Sequence, residues 1–431
     1  MQLTESQRAT LRTLCDTVVP RIERDDDPTG FWARTASDLN IPDAVAELIA
    51  GMPDEAIAAG LAQLLDELDS QGLDRQPSQL SREQILHTLA LASPDAAAGL
   101  SALTGMTLFL HYGVPDPATF KNPNWDEFGY PGPISPPPQV DKPIRTTVPE
   151  DGAVLEADAV VVGSGSGGGV VAATLAEHGM KVVVLEAAGY FNESDFAQLE
   201  LKAYQEMYWR GGPTPTADGN VSLQAGTTLG GGTTINWTNC LRTTDWVRDE
   251  WAREFGLEGV DGPEYDAHLD AVLERIHANE DCSDLNGPQQ RMKEGCEALG
   301  WHFKTIVRNA DRDRYTPEHA GYLGFGDQSG AKMSGDRTFL RNAFERGAEF
   351  VVRCRAQRIL TENGRAAGVE AVYTGDDGME QRRVTVRAPR VVVACGALES
   401  PALLKRSGIG GPAAGDYLRL HPCCAVLGRY G

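Results

Sequence analysis

Basic side chains are scarce in this chain: 39 lysines and arginines stand against 61 aspartates and glutamates, for a formal charge of −22. A surface of that sign repels phosphate backbones and anionic bilayers, so neither nucleic acid nor a membrane surface is an expected partner. Long apolar runs are missing as well, and none approaches the ~20 residues that a membrane span needs. Eight cysteines are present (Cys15, Cys240, Cys282, Cys296, Cys354, Cys395, Cys423 and Cys424), but without C-x-x-C or Cys/His metal spacing, so no metal site is expected. They read as small buried hydrophobes of a reducing compartment, with Cys423 and Cys424 facing opposite ways on a strand. The opening Met1-Gln-Leu-Thr-Glu-Ser-Gln is polar, so no signal peptide is expected and a cytoplasmic location follows by default.

At 431 residues the chain is long for one hydrophobic core, and two or three domains are expected. Residues 1 to 112 carry apolar positions at helical spacing, among them Leu11, Leu14 and Val18, then Ile57, Leu61, Leu64, Leu65 and Leu68. Ser81-Arg-Glu-Gln84 has the pattern of a capping box ahead of a helix through Ile85 to Leu91. This stretch is an all-α domain with no cluster of acid, His or Cys to suggest catalysis. Residues 113 to 157 change character: Val114-Pro-Asp-Pro, Gly129-Tyr-Pro-Gly-Pro133 and Ser135-Pro-Pro-Pro138 predict an extended linker, whose aromatics Phe120, Trp125, Phe128 and Tyr130 suggest that it packs on something. Residues 158 to 431 alternate β-branched runs with helical stretches, the pattern of an α/β domain, with a helical insertion at about 245 to 330.

The most informative run is Ala159-Val-Val-Val-Gly-Ser-Gly-Ser-Gly-Gly-Gly, followed by Lys181-Val-Val-Val-Leu-Glu186. A β-branched run stops at Gly163, glycines recur at Gly165 and Gly168, a small-residue helix follows, and a second β-branched run ends in an acid. That is a Rossmann-like βαβ unit built around a dinucleotide. Gly163 permits a turn with positive φ, Gly165 lets the backbone approach a pyrophosphate, and Gly168 lets the helix pack on the sheet. Ser164, Ser166 and Gly167 complete the loop, where the helix N-terminus offers free N–H groups to phosphates. Glu186 is placed to hold ribose hydroxyls, with Ala187 beside it. This unit alone fits NAD and FAD equally, because both carry an ADP half.

Two later segments follow in order: Gly226-Thr-Thr-Leu-Gly-Gly-Gly-Thr-Thr-Ile-Asn-Trp237 and Ala394-Cys-Gly-Ala-Leu-Glu-Ser-Pro-Ala-Leu-Leu-Lys-Arg-Ser-Gly-Ile409. Together with the glycine loop they resemble the glucose-methanol-choline (GMC) flavoprotein oxidoreductases. Gly321-Tyr-Leu-Gly-Phe-Gly-Asp-Gln-Ser-Gly-Ala-Lys-Met-Ser334 and the Asn122-Pro-Asn-Trp125 and Gly129 to Pro133 motifs look like the long-chain alcohol oxidase branch. That branch usually has cysteines where this chain has Leu323, Phe325 and Asp327. The helical N-terminus is similar to the small subunit of gluconate dehydrogenases, so the resemblance covers nearly the whole chain. It implies FAD rather than NAD. It sets Gly230, Gly231, Thr233 and Asn236 beside the ribityl chain and flavin ring, with Trp237 near the flavin and Asn239 as a further contact. It also implies that the Ala356 backbone meets the adenine edge, and that Ala394 and Gly396 make a second approach to the pyrophosphate and ribityl region.

The chemistry implied by the resemblance is oxidation of a small-molecule alcohol, long-chain or otherwise hydrophobic. A histidine takes the hydroxyl proton while hydride passes to flavin N5, and the electrons continue to oxygen, a quinone or a cytochrome. In the family the base is a His, paired with a second His or Asn, far downstream of a motif like Leu420-His421-Pro422. The base and the substrate-binding sheet are therefore expected beyond residue 431, and a flavin-binding piece lacking that catalytic half is the alternative expectation. His421 is the substitute base within the chain, although its motif matches a structural or flavin-proximal position.

Overall fold

The computed structural model describes residues 2–52, 54–116, 119–376, 378–421 and 427–428. The chain divides into two compact units, Met1–Ser135 with Leu199–Leu201, and Pro136–Gln198 with Lys202–Gly431. The expected strand placement of Cys423 and Cys424 lies outside the described residues, as does Pro422.

Among the described residues, five α-helices build the first unit: α1 (Glu5–Val18), α2 (Ile41–Ala50), α3 (Glu55–Ser70), α4 (Gln79–Ala92) and α5 (Pro94–Gly113). Leu11, Leu14, Leu65, Leu68 and Leu103 meet in its core, each at most 1% exposed. Burial on that scale contributes about 1.5–3 kcal/mol per leucine side chain. α1 starts at a reciprocal cap, in which Thr4 N–H donates to Gln7 Oε1 at 2.9 Å and Gln7 N–H donates to Thr4 Oγ1 at 3.3 Å. The capping box expected at Ser81 sits one turn earlier. Ser78 has extended backbone and accepts from Ser81 N–H at 3.2 Å, so the helix is already under way at Gln79 and Ser81 is its third residue.

The Pro-rich stretch is divided between the units, because its first part folds back on α5. Asn122 Nδ2 donates to the carbonyls of His111 at 2.8 Å and Val114 at 2.7 Å, and Trp125 Nε1 donates to the Tyr112 carbonyl at 2.6 Å. Trp125 is thereby buried, and the chain as far as Ser135 belongs with the helices.

The second unit opens with β1 (Ala153–Glu156), β2 (Ala159–Val162), α6 (Ser166–Glu177) and β3 (Val182–Leu185). It continues through α7 (Glu200–Met207), whose first two residues belong to the first unit, β4 (Thr214–Pro215), β5 (Ser222–Leu223), β6 (Asn239–Cys240), α8 (Asp245–Phe255) and α9 (Pro263–Arg275). Next come β7 (Ala278–Asn279), α10 (Gly287–Leu299), β8 (Val307–Asn309), α11 (Pro317–Ala320) and α12 (Phe339–Glu345). It closes with β9 (Glu349–Val351), β10 (Cys354–Glu362), β11 (Arg365–Thr374), β12 (Gln381–Arg387), β13 (Val391–Val393) and α13 (Gly396–Arg406). The insertion expected as helical to about 330 is so only as far as Leu299, after which β8, the single turn α11 and loops take over.

One sheet is all parallel in the order β13-β2-β3-β9, with Val160 beside both Val183 and Val391. β2 and β3 are buried on both faces, which is why each reads as an unbroken β-branched run rather than an alternating one. The chain moves from β2 to β3 on one side and returns to β13 on the other. The turns after β2 and β13 therefore diverge, and such a switch point opens a crevice at the carboxyl ends of the strands. A second sheet, β1-β12-β11-β10, lays Val369, Val384 and Val386 against Val160 and Val162. Ala172 and Ala173 of α6 and Leu340 of α12 cover the opposite face.

Candidate cofactor site

The carboxyl ends of β2, β3 and β13 and the N-termini of α6 and α13 surround a cavity of about 590 Å3. Of the residues expected at the site, Gly163, Ser164, Gly165, Ser166, Gly167, Glu186, Ala187, Gly231, Ala356, Ala394, Gly396 and His421 line it. Gly168, Gly230, Thr233, Asn236, Trp237 and Asn239 lie outside its wall.

Packing explains the glycine spacing. Gly163 has φ +94°, and a Cβ there would stand 2.4 Å from the Ala394 carbonyl oxygen; a Cβ on Gly168 would stand 2.0 Å from the Gly163 carbonyl oxygen. A Cβ on Gly165 or Gly167, by contrast, would meet nothing within 4 Å. The backbone bond from Gly169 N–H to the Gly165 carbonyl, at 2.8 Å, closes the first turn of α6. The N–H groups ahead of it carry the positive end of the helix dipole toward the open side.

One hydroxyl ties three segments together behind this loop. Ser164 Oγ donates to Glu186 Oε2 at 2.6 Å and accepts from Gly230 N–H at 3.0 Å. Glu186 also accepts from Ser164 N–H at 3.1 Å and, through Oε1, from Ala188 N–H at 3.0 Å. Burial pushes the Glu186 carboxyl above the usual range, and the bonds from Ser164 and Ala188 oppose that rise. Each carboxylate oxygen has more than one acceptor direction, so capacity remains for a ribose hydroxyl.

The second glycine loop presses directly on the first, since a Cβ on Gly231 would stand 2.8 Å from Gly165 Cα. Its polar side chains, expected as cofactor contacts, bond within the fold. Thr233 Oγ1 donates to the Gly230 carbonyl at 2.6 Å and accepts from Gly335 N–H at 2.9 Å. Asn236 Oδ1 accepts from Thr238 N–H at 3.2 Å, and Asn239 Oδ1 accepts from Arg308 Nη1 at 3.1 Å. Trp237 is half exposed and meets Phe325 edge-on at 6.4 Å.

Sequence reasoning missed what holds that loop. Lys332 is 3% exposed, and its ammonium donates to the carbonyls of Thr234, Asn236 and Leu323, each at 2.7 Å. Burial pushes its pKa down to about 7, against the pull of Asp327 and Asp336. Asp336 is pushed up by burial to about 6, with the Ser334 hydroxyl donating to it at 2.5 Å. Also missed were Trp209, Arg355 and Glu399 in the cavity wall, which no local pattern joins because Trp209 and Glu399 are 190 positions apart.

The sequence model of the GMC oxidoreductase family matches residues 204–423. The chain belongs to that family. A model described as FAD binding domain matches residues 158–205, from β2 past Glu186, and FAD is the cofactor of this GMC oxidoreductase. The residues present fit it: an open helix N-terminus suits a diphosphate, and the carboxylate ending β3 suits ribose hydroxyls.

The long-chain-alcohol oxidase FAO4B of Arabidopsis thaliana is 37% identical over 285 residues, 64% of this chain and 37% of that protein. An uncharacterized GMC-type oxidoreductase of Mycobacterium tuberculosis is 33% identical over 385 residues, 87% of this chain and 58% of that protein. The chain thus spans 37% to 58% of the length of these GMC relatives. Solved structures of a formate oxidase from Aspergillus oryzae and a pyridoxine 4-oxidase align over 61% and 60% of the chain, and over 48% and 53% of theirs. Their identities are 18% and 20% and their TM-scores 0.43 and 0.42, too distant to carry anything further. Among the described residues, no helix is long and apolar enough to cross a membrane, and no three His, Cys, Asp or Glu side chains group to hold a metal ion.

Proposed function

We propose that this chain supplies the FAD-holding part of an oxidoreductase that removes hydride from the CH–OH group of a long-chain or otherwise hydrophobic alcohol. Bound FAD supplies the two-electron hydride acceptor. The residues of the chain hold and orient it. The first N–H groups of α6 take the diphosphate, and Glu186 accepts ribose hydroxyls with the lone pairs left free by Ser164 and Ala188. The Ala356 backbone meets the adenine, while Ala394 and Gly396 let the main chain run close beside the pyrophosphate. Thr233, Asn236 and Lys332 act one step removed, fixing the shape of the loop that carries Gly230 and Gly231. His421 contributes an imidazole to the cavity wall, and this reading assigns proton abstraction to no described residue. The helical first unit is read as the counterpart of a gluconate dehydrogenase small subunit.

The observation that carries this reading is the convergence of residues 163–167, of 226, 227, 231 and 232, and of 394–399, far apart in sequence, on one cavity. The similarity to a long-chain-alcohol oxidase supports the substrate class. The test is anaerobic titration of the FAD-loaded chain with a long-chain primary alcohol, following the oxidised-flavin absorbance. Bleaching supports the whole proposal. A chain that takes up no FAD overturns the reading altogether, and a loaded chain bleached as readily by a short polar alcohol as by the long-chain one overturns the substrate class.

A further inference from the structure

We propose that Glu399 is a positioning residue that fastens the cofactor cavity at its Ala356 end and so sets how long FAD stays bound. The inference rests on the FAD-holding role argued above. Glu399 stands in the first turn of α13, and its carboxylate joins separate parts of the wall. Oε1 accepts from Trp209 Nε1 at 3.1 Å, Oε2 accepts from Arg355 Nη2 at 2.9 Å, and Oε2 lies 4.0 Å from Arg406 Nη1. Trp209 comes from the turn after α7, Arg355 from β10 and Arg406 from the end of α13; all four side chains border the cavity. Arg406 Nη2 in turn reaches the Ala356 carbonyl at 3.5 Å, so the network ends at the backbone assigned to the adenine.

Each partner is held independently of the tie. The Trp209 N–H donates to the Ala225 carbonyl at 2.8 Å, and the Arg210 guanidinium lies over the indole, 4.5 Å from its centroid. Arg355 belongs to a strand paired along its length with β11. Glu399 therefore does not organise these elements; it links their tips. Burial raises the Glu399 carboxyl, but the Trp209 bond and the charges of Arg355 and Arg406 outweigh it, so the group stays ionised at neutral pH. Charge-assisted bonds of this kind are strong, yet the Glu399 side chain is 26% exposed and that of Arg355 51%, so water can compete for them as the tie opens and recloses.

The experiment loads the full chain with FAD, transfers it to FAD-free buffer and follows the rise in free-flavin fluorescence, with circular dichroism to establish that each variant is folded. Glu399→Ala is expected to release FAD roughly tenfold to a hundredfold faster. Glu399→Gln keeps an acceptor for Trp209 and is expected to fall between it and the parent. Trp209→Phe removes only the indole donor and is expected to speed release severalfold. Added salt should accelerate release from the parent and not from Glu399→Ala. Release at the parental rate from a folded, loaded Glu399→Ala overturns the proposal. If that variant does not fold, parental rates in both Glu399→Gln and Trp209→Phe overturn it. A parent chain that takes up no FAD strikes the earlier reading instead, which separates the two failures.

Discussion

The Ser164 hydroxyl donates to Glu186 at 2.6 Å, and this bond joins the turn after β2 to the end of β3. Because the same oxygen accepts from Gly230 N–H at 3.0 Å, a single small side chain sets the spacing of both glycine loops and the Glu186 carboxylate. Ser164→Ala leaves a buried carboxylate short of a donor and a buried N–H without its acceptor. The expected outcome is a loss of about 1–3 kcal/mol of stability and weaker retention of FAD. Thermal melting of the FAD-free chain, together with an FAD titration, checks it. A variant with unchanged melting and unchanged affinity would remove Ser164 from the account.

The glycines of the first loop are not equivalent, and substitution separates them. Gly168→Ala drives a methyl to 2.0 Å from the Gly163 carbonyl oxygen, a backbone atom that cannot move without breaking the turn. Overpacking of this kind typically costs about 1–3 kcal/mol or more, so a sharply lower melting temperature or insoluble product is expected. Gly167→Ala places its methyl in open space in the first turn of α6 and is expected to leave folding intact. Since that methyl points into a position bordering the cavity, FAD affinity is expected to fall while melting does not. Soluble yield, melting and FAD binding, measured on both variants, distinguish the packing role from the ligand-facing role.

Lys332 has three N–H donors and spends each on a main-chain carbonyl. Only the charged form has three protons to give, so the geometry favours the ammonium even though burial lowers its pKa to about 7. Lys332→Met matches the length of the side chain but strips three carbonyls of their donor. A cost of about 3 kcal/mol or more is expected from the unsatisfied groups, visible as a lower melting temperature. Fluorescence of Trp237, which follows the clamped carbonyl of Asn236, should shift at temperatures where the chain is still folded. Unchanged melting would mean that the loop holds its shape without the clamp.

How much of this was legible in the sequence depends on how local each cause is. The βαβ unit was readable because its determinants are neighbours: a β-branched run, glycines at fixed offsets and an acid at the end of the next strand. Helices α1, α3 and α4 of the first unit were readable for the same reason, since apolar spacing is a local signal. Residues that act across the fold were not. Lys332 reaches 98 positions back to Thr234, and Glu399 reaches Trp209 across 190, and nothing in either neighbourhood announces the partner. Thr233 and Asn236 also answer to the loop itself. Their chemistry suits a ligand, but a tight loop of glycines has its own carbonyls and N–H groups to satisfy, and these two side chains serve that need.

His111 gives the helical unit a dependence on acid that can be read out separately. The imidazole is 1% exposed, its Nδ1 has no hydrogen-bond partner among the described residues, and it meets Tyr112 edge-on at 4.8 Å. Burial, reinforced by Arg34 and only partly offset by Asp38, lowers its pKa from 6.5 to about 4. Between those values the unfolded chain binds a proton that the folded chain refuses, so stability rises with pH across this window. Its contribution is therefore complete above about pH 6.5 and is lost progressively as pH falls toward 4. The chain is expected to melt at a lower temperature at about pH 5 than at about pH 7. His111→Phe, which keeps a planar ring against Tyr112 but cannot take the proton, should flatten that dependence relative to the parent. Carboxylates elsewhere titrate equally in both proteins, so the difference between the two pH profiles isolates His111, and parallel profiles would show that the imidazole is protonated in the fold.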